Sequence, residues 1–219
     1  MALEIWWISG SPYAWWVLLA AEMKGLAYES HLLSVTDQEN RTPEYLAMNP
    51  RGLVPLMKDG DFILSESLAI VAYLDSKSPL SPLFSSNPRD AARIWEAVSQ
   101  VLSYLQRDTF ADPILSGRAR ADEPEPIRQS AAQLKTELGF FEARLASTPY
   151  LCGNSLSAAD IALLAFLHFN LRAAGKDIAR DLDLKIVPLA DHCPRLAAWA
   201  KRIERLPAYE RTYPPHWRN

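Results

Sequence analysis

Apolar and polar positions alternate in two rhythms along this chain. Near the start, short apolar runs are separated by turn residues. Leu3-Glu4-Ile5-Trp6-Trp7-Ile8 is rich in β-branched and aromatic side chains and stops at Ser9-Gly10, which predicts a strand. Pro12 stands where a helix can begin, because its missing N–H costs nothing in the first turn. The helix is expected from about Tyr13 to Lys24, ending at Gly25, a residue suited to a left-handed cap. Its middle, Ala14 to Ala21, has no polar face and so predicts cover on both sides, a sheet beneath and another domain above. A second strand is expected near Tyr28 to Leu33, and a short helix from about Pro43 to Ala47, before Asn49-Pro50. Val54 to Met57 and Phe62 to Leu64 flank Asp59-Gly60, a hairpin signal, and a third helix runs from about Glu66 to Ser76.

The order strand, helix, strand, helix, hairpin, helix is the plan of a thioredoxin-like domain, placed at residues 1–78. Pro79, Pro82 and Pro88, with serines between them, read as a linker over 79–88. From 89 to 219 every periodic segment is helical, so the fold class is α/β followed by all-α. Ile94, Val98, Val101, Leu102 and Leu105 recur at helical spacing. So do Ile127, Ala131, Leu134, Leu138, Phe141 and Leu145, and again Leu196, Trp199, Ile203 and Leu206. Leu156 to Leu171 is nearly all apolar and should be the central helix of this half. Ser157 and Asp160 form its start signal, with Leu156 and Ile161 as a hydrophobic staple. Asp160 therefore has a folding role.

Composition narrows the function. Of 219 residues, 49% are hydrophobic and 22% charged, which excludes a disordered chain and a collagen. A net charge of −3 supplies no global attraction for nucleic acid. Cys152 and Cys193 form no CxxC pair, and His31, His168, His192 and His216 show no metal-ligand spacing, so neither a disulfide framework nor a metal site is expected. The first basic residue is Lys24, which does not fit a secretory or transit leader, and the longest early apolar run, Ala14 to Ala21, is far short of the ~20 residues of a membrane span. The expected address is cytoplasmic, with no membrane and no nucleic-acid partner.

Three local motifs then carry a resemblance. Ser11-Pro12-Tyr13 lies between strand and helix, Val54-Pro55 precedes a strand, and Ser65-Glu66-Ser67 opens the third helix. With Met48-Asn49-Pro50-Arg51-Gly52-Leu53-Val54-Pro55 and Asn154 to Asp160, their order resembles the cytosolic glutathione transferases, especially the serine-type theta, tau and zeta-like bacterial members. The resemblance covers essentially the whole chain. It implies glutathione as a co-substrate, no further cofactor, a small hydrophobic electrophile and a homodimer.

It also implies roles. A hydroxyl at a helix N-terminus can donate to a bound sulfur and, with the positive helix end, favour the thiolate. Ser11 is placed for this, with Ser9 as second choice and Tyr13 as third. A cis Val54-Pro55 bond would offer backbone groups to the cysteinyl part of glutathione as one rung of sheet. Glu66 would accept from the γ-glutamyl ammonium, and Ser67 would donate to its carboxylate. Arg41 matches a basic position that meets the glycyl carboxylate; a solvated loop arginine is the competing reading. The electrophile site is expected between the domains, from Tyr13, Tyr104, Phe110 and Trp217. The tail Tyr213 to Trp217 either folds over that cleft or caps the surface. Two departures bear on glutathione affinity: Trp15-Trp16 stands where many relatives carry Arg or Lys, and Leu53 where they often carry Lys.

Two alternatives keep the same fold: a glutathione-dependent isomerase or dehalogenase, and a non-catalytic ligand-binding protein. Serine instead of cysteine at position 11 argues against disulfide reduction, since no mixed disulfide can form there.

Overall fold

A computed structural model describes residues 3–105 and 110–218. The chain divides into two compact units, one formed by residues up to Phe84 together with Leu206 onward, the other by Ser85–Arg205.

The first unit holds a four-stranded mixed sheet in the order β2-β1-β3-β4. β1 (Leu3–Trp7) leads through a corner into α1 (Pro12–Met23), and β2 (Tyr28–Leu32) lies parallel to β1. A 3₁₀ turn (Glu39–Arg41) and α2 (Pro43–Met48) follow. β3 (Leu56–Asp59) and β4 (Phe62–Ser65) form the expected hairpin around Gly60, whose φ of 67° the turn requires. α3 (Ser67–Lys77) closes the motif. The thioredoxin-like plan is therefore realised, with element ends shifted by a residue or two.

Every residue of α1 from Ala14 to Ala21 is buried. Within this unit α1 packs against β1, α3 and α11 (Pro207–Thr212). Part of the cover that its all-round apolarity demanded thus comes from the end of the chain. Trp15 is the anchor. Its Nε1–H donates to Thr212 Oγ1 at 3.0 Å, and its ring meets those of Tyr209, Tyr213 and Trp217 at centroid distances of 5.7, 5.7 and 5.4 Å. Arg211 Nε pairs with Glu22 at 2.6 Å. The helical repeat read through Leu206 is accordingly broken. α10 (Pro194–Glu204) stops, Pro207 starts a new helix, and residues from Leu206 belong to the sheet-bearing unit and not to an 89–219 domain.

Lys24, at the end of α1, is buried and salt-bridged to Asp75 at 2.7 Å. The same carboxylate accepts from the N–H groups of Leu83 and Phe84, tying the end of this segment to α3.

The helical unit is built from α4 (Pro88–Tyr104), α5 (Ala111–Leu115), α6 (Pro124–Arg144), α7 (Ala158–Ala174), α8 (Asp177–Arg180), α9 (Leu189–His192) and α10. α7 is its buried centre, packed against α4 and α5. Asp160 accepts from Ser157 N and Oγ, Leu151 N and Trp199 Nε1, at 2.7–2.9 Å. Desolvation still pushes its pKa up. The group is spent on local structure, as its place in a capping box implies. No helix among the described residues is long and apolar enough to cross a membrane.

Candidate functional site

Sheet register brings the sequence motifs of the first unit to one rim. Trp6 of β1 faces Leu56 of β3, and Leu56 faces Ser65 of β4. Beyond this row the chain leaves β1 through Ser9-Gly10-Ser11, enters β3 from Val54-Pro55, and leaves β4 into Glu66-Ser67. β2 ends at the same rim, since Leu32 pairs with Trp7, and leads on to Arg41. The N-termini of α1 and α3 start here too, so two positive helix ends share the rim.

Ser11 is the N-cap of α1, in extended conformation (φ −71°, ψ 116°), and its Oγ accepts from Ala14 N at 3.3 Å. The oxygen is the acceptor in that bond, so the hydroxyl proton remains available to a ligand. Ser9 Oγ lies 2.6 Å from Nδ1 of His216. Gly10 between them has φ +86°, a conformation that L side chains rarely adopt. Tyr13 is half-buried in the first turn of α1.

The Val54-Pro55 bond is cis. The loop leading into it is held by side chains. Tyr45 Oη and Asn49 Nδ2 both donate to the Leu53 carbonyl at 2.7 Å, and Asn40 Nδ2 donates to the Gly52 carbonyl at 2.7 Å. Burial pushes the Tyr45 hydroxyl up to about 12, so it stays a protonated donor at neutral pH. Arg41 is exposed and gives Nη1–H to the Arg51 carbonyl at 3.2 Å. It crosses Gly52, where a Cβ would stand 2.6 Å from Nη1. Arg41 is thus a structural clamp in this geometry as well as a cation at the rim.

Glu66 is exposed and caps α3 with φ 71° and ψ 110°, a strained setting for a residue with a Cβ. Ser67, the first residue of α3, is buried.

The expected electrophile residues divide between the units. Tyr13 and Trp217 belong to the sheet-bearing unit, and Tyr104 and Phe110 to the helical one. Tyr104 is 58% exposed and lines a groove of about 400 Å³ with Gln100, Phe140 and Arg144. Phe110 is buried and lines a separate cavity of about 170 Å³ with Pro113, Ile114 and Ile127. These two aromatics therefore face different cavities. Both cysteines are thiols. Burial pushes Cys152 up to about 11 and also raises Cys193, which favours the protonated thiol at both. Glu4, Glu29 and His31 form one cluster of ligand-type groups on β1 and β2, where Lys58 Nζ lies 3.2 Å from Glu4.

Several contributors were not singled out from the sequence: Asn40, Tyr45 and Asn49 behind the proline loop, and Gly10 and His216 at the corner. Asn49 lies inside the quoted Met48–Pro55 motif, which signalled the loop but not its clamps. His216 lay in the tail expected to fold over the cleft or cap the surface, but its partner Ser9, 207 residues away, was not legible.

Comparison with known proteins places these features in context. Residues 10–77 match the family model of the glutathione S-transferase N-terminal domain, and residues 124–202 that of the C-terminal domain. Glutathione S-transferase A of Pleuronectes platessa is 29% identical over 98% of this chain and 92% of its own. Glutathione S-transferase 4 of Zea mays is 30% identical over 94% and 90%. The crystal structure of a glutathione S-transferase from the Antarctic clam Laternula elliptica superposes with a TM-score of 0.82 at 26% identity, covering 100% of this chain and 95% of that one.

Proposed function

The chain belongs to the glutathione S-transferase family, and on that footing we propose that it is a glutathione transferase whose Ser11 holds the glutathione sulfur as a thiolate. The observation that carries this is the shared rim: Ser11, cis Val54-Pro55 and Glu66-Ser67 meet past one row of the sheet. A tripeptide with an ammonium and carboxylate at one end and a thiol in the middle fits that order of groups. The N–H and C=O of Val54 pair with its cysteinyl backbone. Ser67 and the α3 N-terminus hold the γ-glutamyl carboxylate, and Glu66 holds the ammonium. Arg41 serves the glycyl carboxylate.

The energetics suffice. A thiol of pKa about 8.5 is only about 3% thiolate at pH 7, and a drop of two units raises that to about 75%, for about 2.7 kcal/mol. A hydrogen bond to a charged group contributes about 1.5–3 kcal/mol and a helix N-terminus about 0.3–1. Ser11 at the head of α1 supplies both. The thiolate then attacks an apolar electrophile, by substitution or by addition to an activated double bond.

The test is glutathione-affinity retention followed by conjugation assays on wild type, Ser11→Ala and Ser9→Ala. The expected result is a loss of about 10²–10³ in kcat/KM for Ser11→Ala, the scale of losing one preorganised donor, with retention on glutathione preserved. Retention without turnover, unchanged by either substitution, would identify a binding protein instead. Turnover that returns glutathione unchanged would identify the isomerase or dehalogenase chemistry.

A further inference from the structure

The end of the chain is seated on the corner that carries Ser9 and Ser11. A Cβ at Gly10 would stand 2.6 Å from His216 Cε1, 3.0 Å from its Nε2 and 3.1 Å from Trp217 Nε1, so glycine is what lets the tail lie against this backbone. The 3₁₀ turn Pro215–Trp217 is held there by the Trp15 cluster and by Arg211–Glu22. His216 is delivered to Ser9 at 2.6 Å by a segment anchored along α1. In the tail, Arg218 pairs with Glu210 at 2.8 Å and lies over the Tyr213 ring, and Arg211 is held by Glu22 of α1. The first turn of α1 carries no acidic residue, and its sequence Pro12 to Ala21 has no charge.

We infer that His216 is a positioning residue for thiol ionisation: it orients the Ser9 hydroxyl and, through it, accepts the proton that glutathione loses. This rests on the function proposed above. The step balances within the two side chains. The thiol S–H bond breaks, the electron pair stays on sulfur, and the proton passes to Ser9 Oγ. The proton already on Ser9 passes to Nδ1 of His216. The products are a thiolate facing the α1 N-terminus and Ser11, a neutral Ser9 and an imidazolium. The reactive state is the neutral tautomer with its proton on Nε2, so that Nδ1 accepts from Ser9. His216 is exposed, so the imidazolium returns its proton to water after each turnover. Ser9 and Ser11 thereby divide the work: one removes the proton and the other steadies the charge that is left.

The experiment uses the full chain with saturating glutathione. The ultraviolet absorbance of bound thiolate and kcat/KM toward an activated aryl chloride are followed against pH for wild type, Ser9→Ala, His216→Gln and the double variant. Expected is an upward shift of the thiol midpoint by about one unit in each single variant, hence about tenfold lower kcat/KM below the midpoint. Wild-type rate should return at high pH, KM for glutathione should stay within about twofold, and the double variant should be no worse than either single one. Midpoints coincident with wild type in folded variants, or a loss that high pH does not restore, overturn the relay and leave His216 a clasp. A wild-type protein that binds no glutathione removes the proposed function, and the relay with it; a relay failure alone leaves wild-type thiolate formation intact.

Discussion

Glu66 holds its backbone at φ 71°, where a side chain costs about 1–3 kcal/mol. Nothing in the composition of Ser65-Glu66-Ser67 announces this; the same triplet reads as an ordinary helix start. Glycine adopts that conformation freely, so Glu66→Gly should raise thermal stability, by about 1 kcal/mol, while KM for glutathione rises through loss of the carboxylate proposed to hold the ammonium. Thermal melts and glutathione-dependent kinetics on one preparation check both signs. Falling stability would mean that the strain at this cap is smaller than the dihedral indicates. Ser11 is the opposite case. Its neighbours Gly10 and Pro12 already marked a strand-to-helix corner, so its capping position could be read directly. Ser9 could be read only as a rival for the same role, because its partner lies at the other end of the chain.

At the scale of elements, hydrophobic period and turn residues sufficed to order β1 to β4 and α1 to α3. The loop between α2 and β3 was legible as a motif but not as a mechanism. Tyr45, on α2, is buried like Asn49, and the two share the Leu53 carbonyl. Tyr45→Phe removes one of these two donors while keeping the ring. It should cost about 0.5–1.5 kcal/mol in stability and raise KM for glutathione severalfold with kcat nearly unchanged, since the effect passes through the placement of Val54. A change confined to kcat would show that the clamp acts elsewhere. Helix ends were the weaker part of the sequence reading. The spacing Leu196, Trp199, Ile203, Leu206 continues smoothly through a break that Pro207 imposes, and apolar periodicity alone does not register which core each residue enters.

For the molecule as a whole, the decisive fact is that the chain's last segment completes its first unit. Three ring contacts to Trp15 contribute on the order of 3 kcal/mol together, before any area is counted. A chain ending after Arg205 should therefore show a lower melting temperature and bind an apolar dye, as Trp15 and its neighbours on α1 lose their cover. An unchanged melt would assign that cover to other contacts. By itself the sequence determined the two rhythms, the order of elements, the buried central helix with its Ser157–Asp160 start, and the motifs that name the family. These are local properties, written in spacing, in turn residues and in caps spanning a few positions. Tertiary structure alone decided the rest: the register that gathers Ser11, Val54-Pro55 and Glu66-Ser67 at one rim, the strain at Glu66, the separation of Tyr104 from Phe110, and the seating of His216 on Ser9. Each of these depends on contacts between residues distant along the chain, and a one-dimensional pattern carries no term for the distance between them.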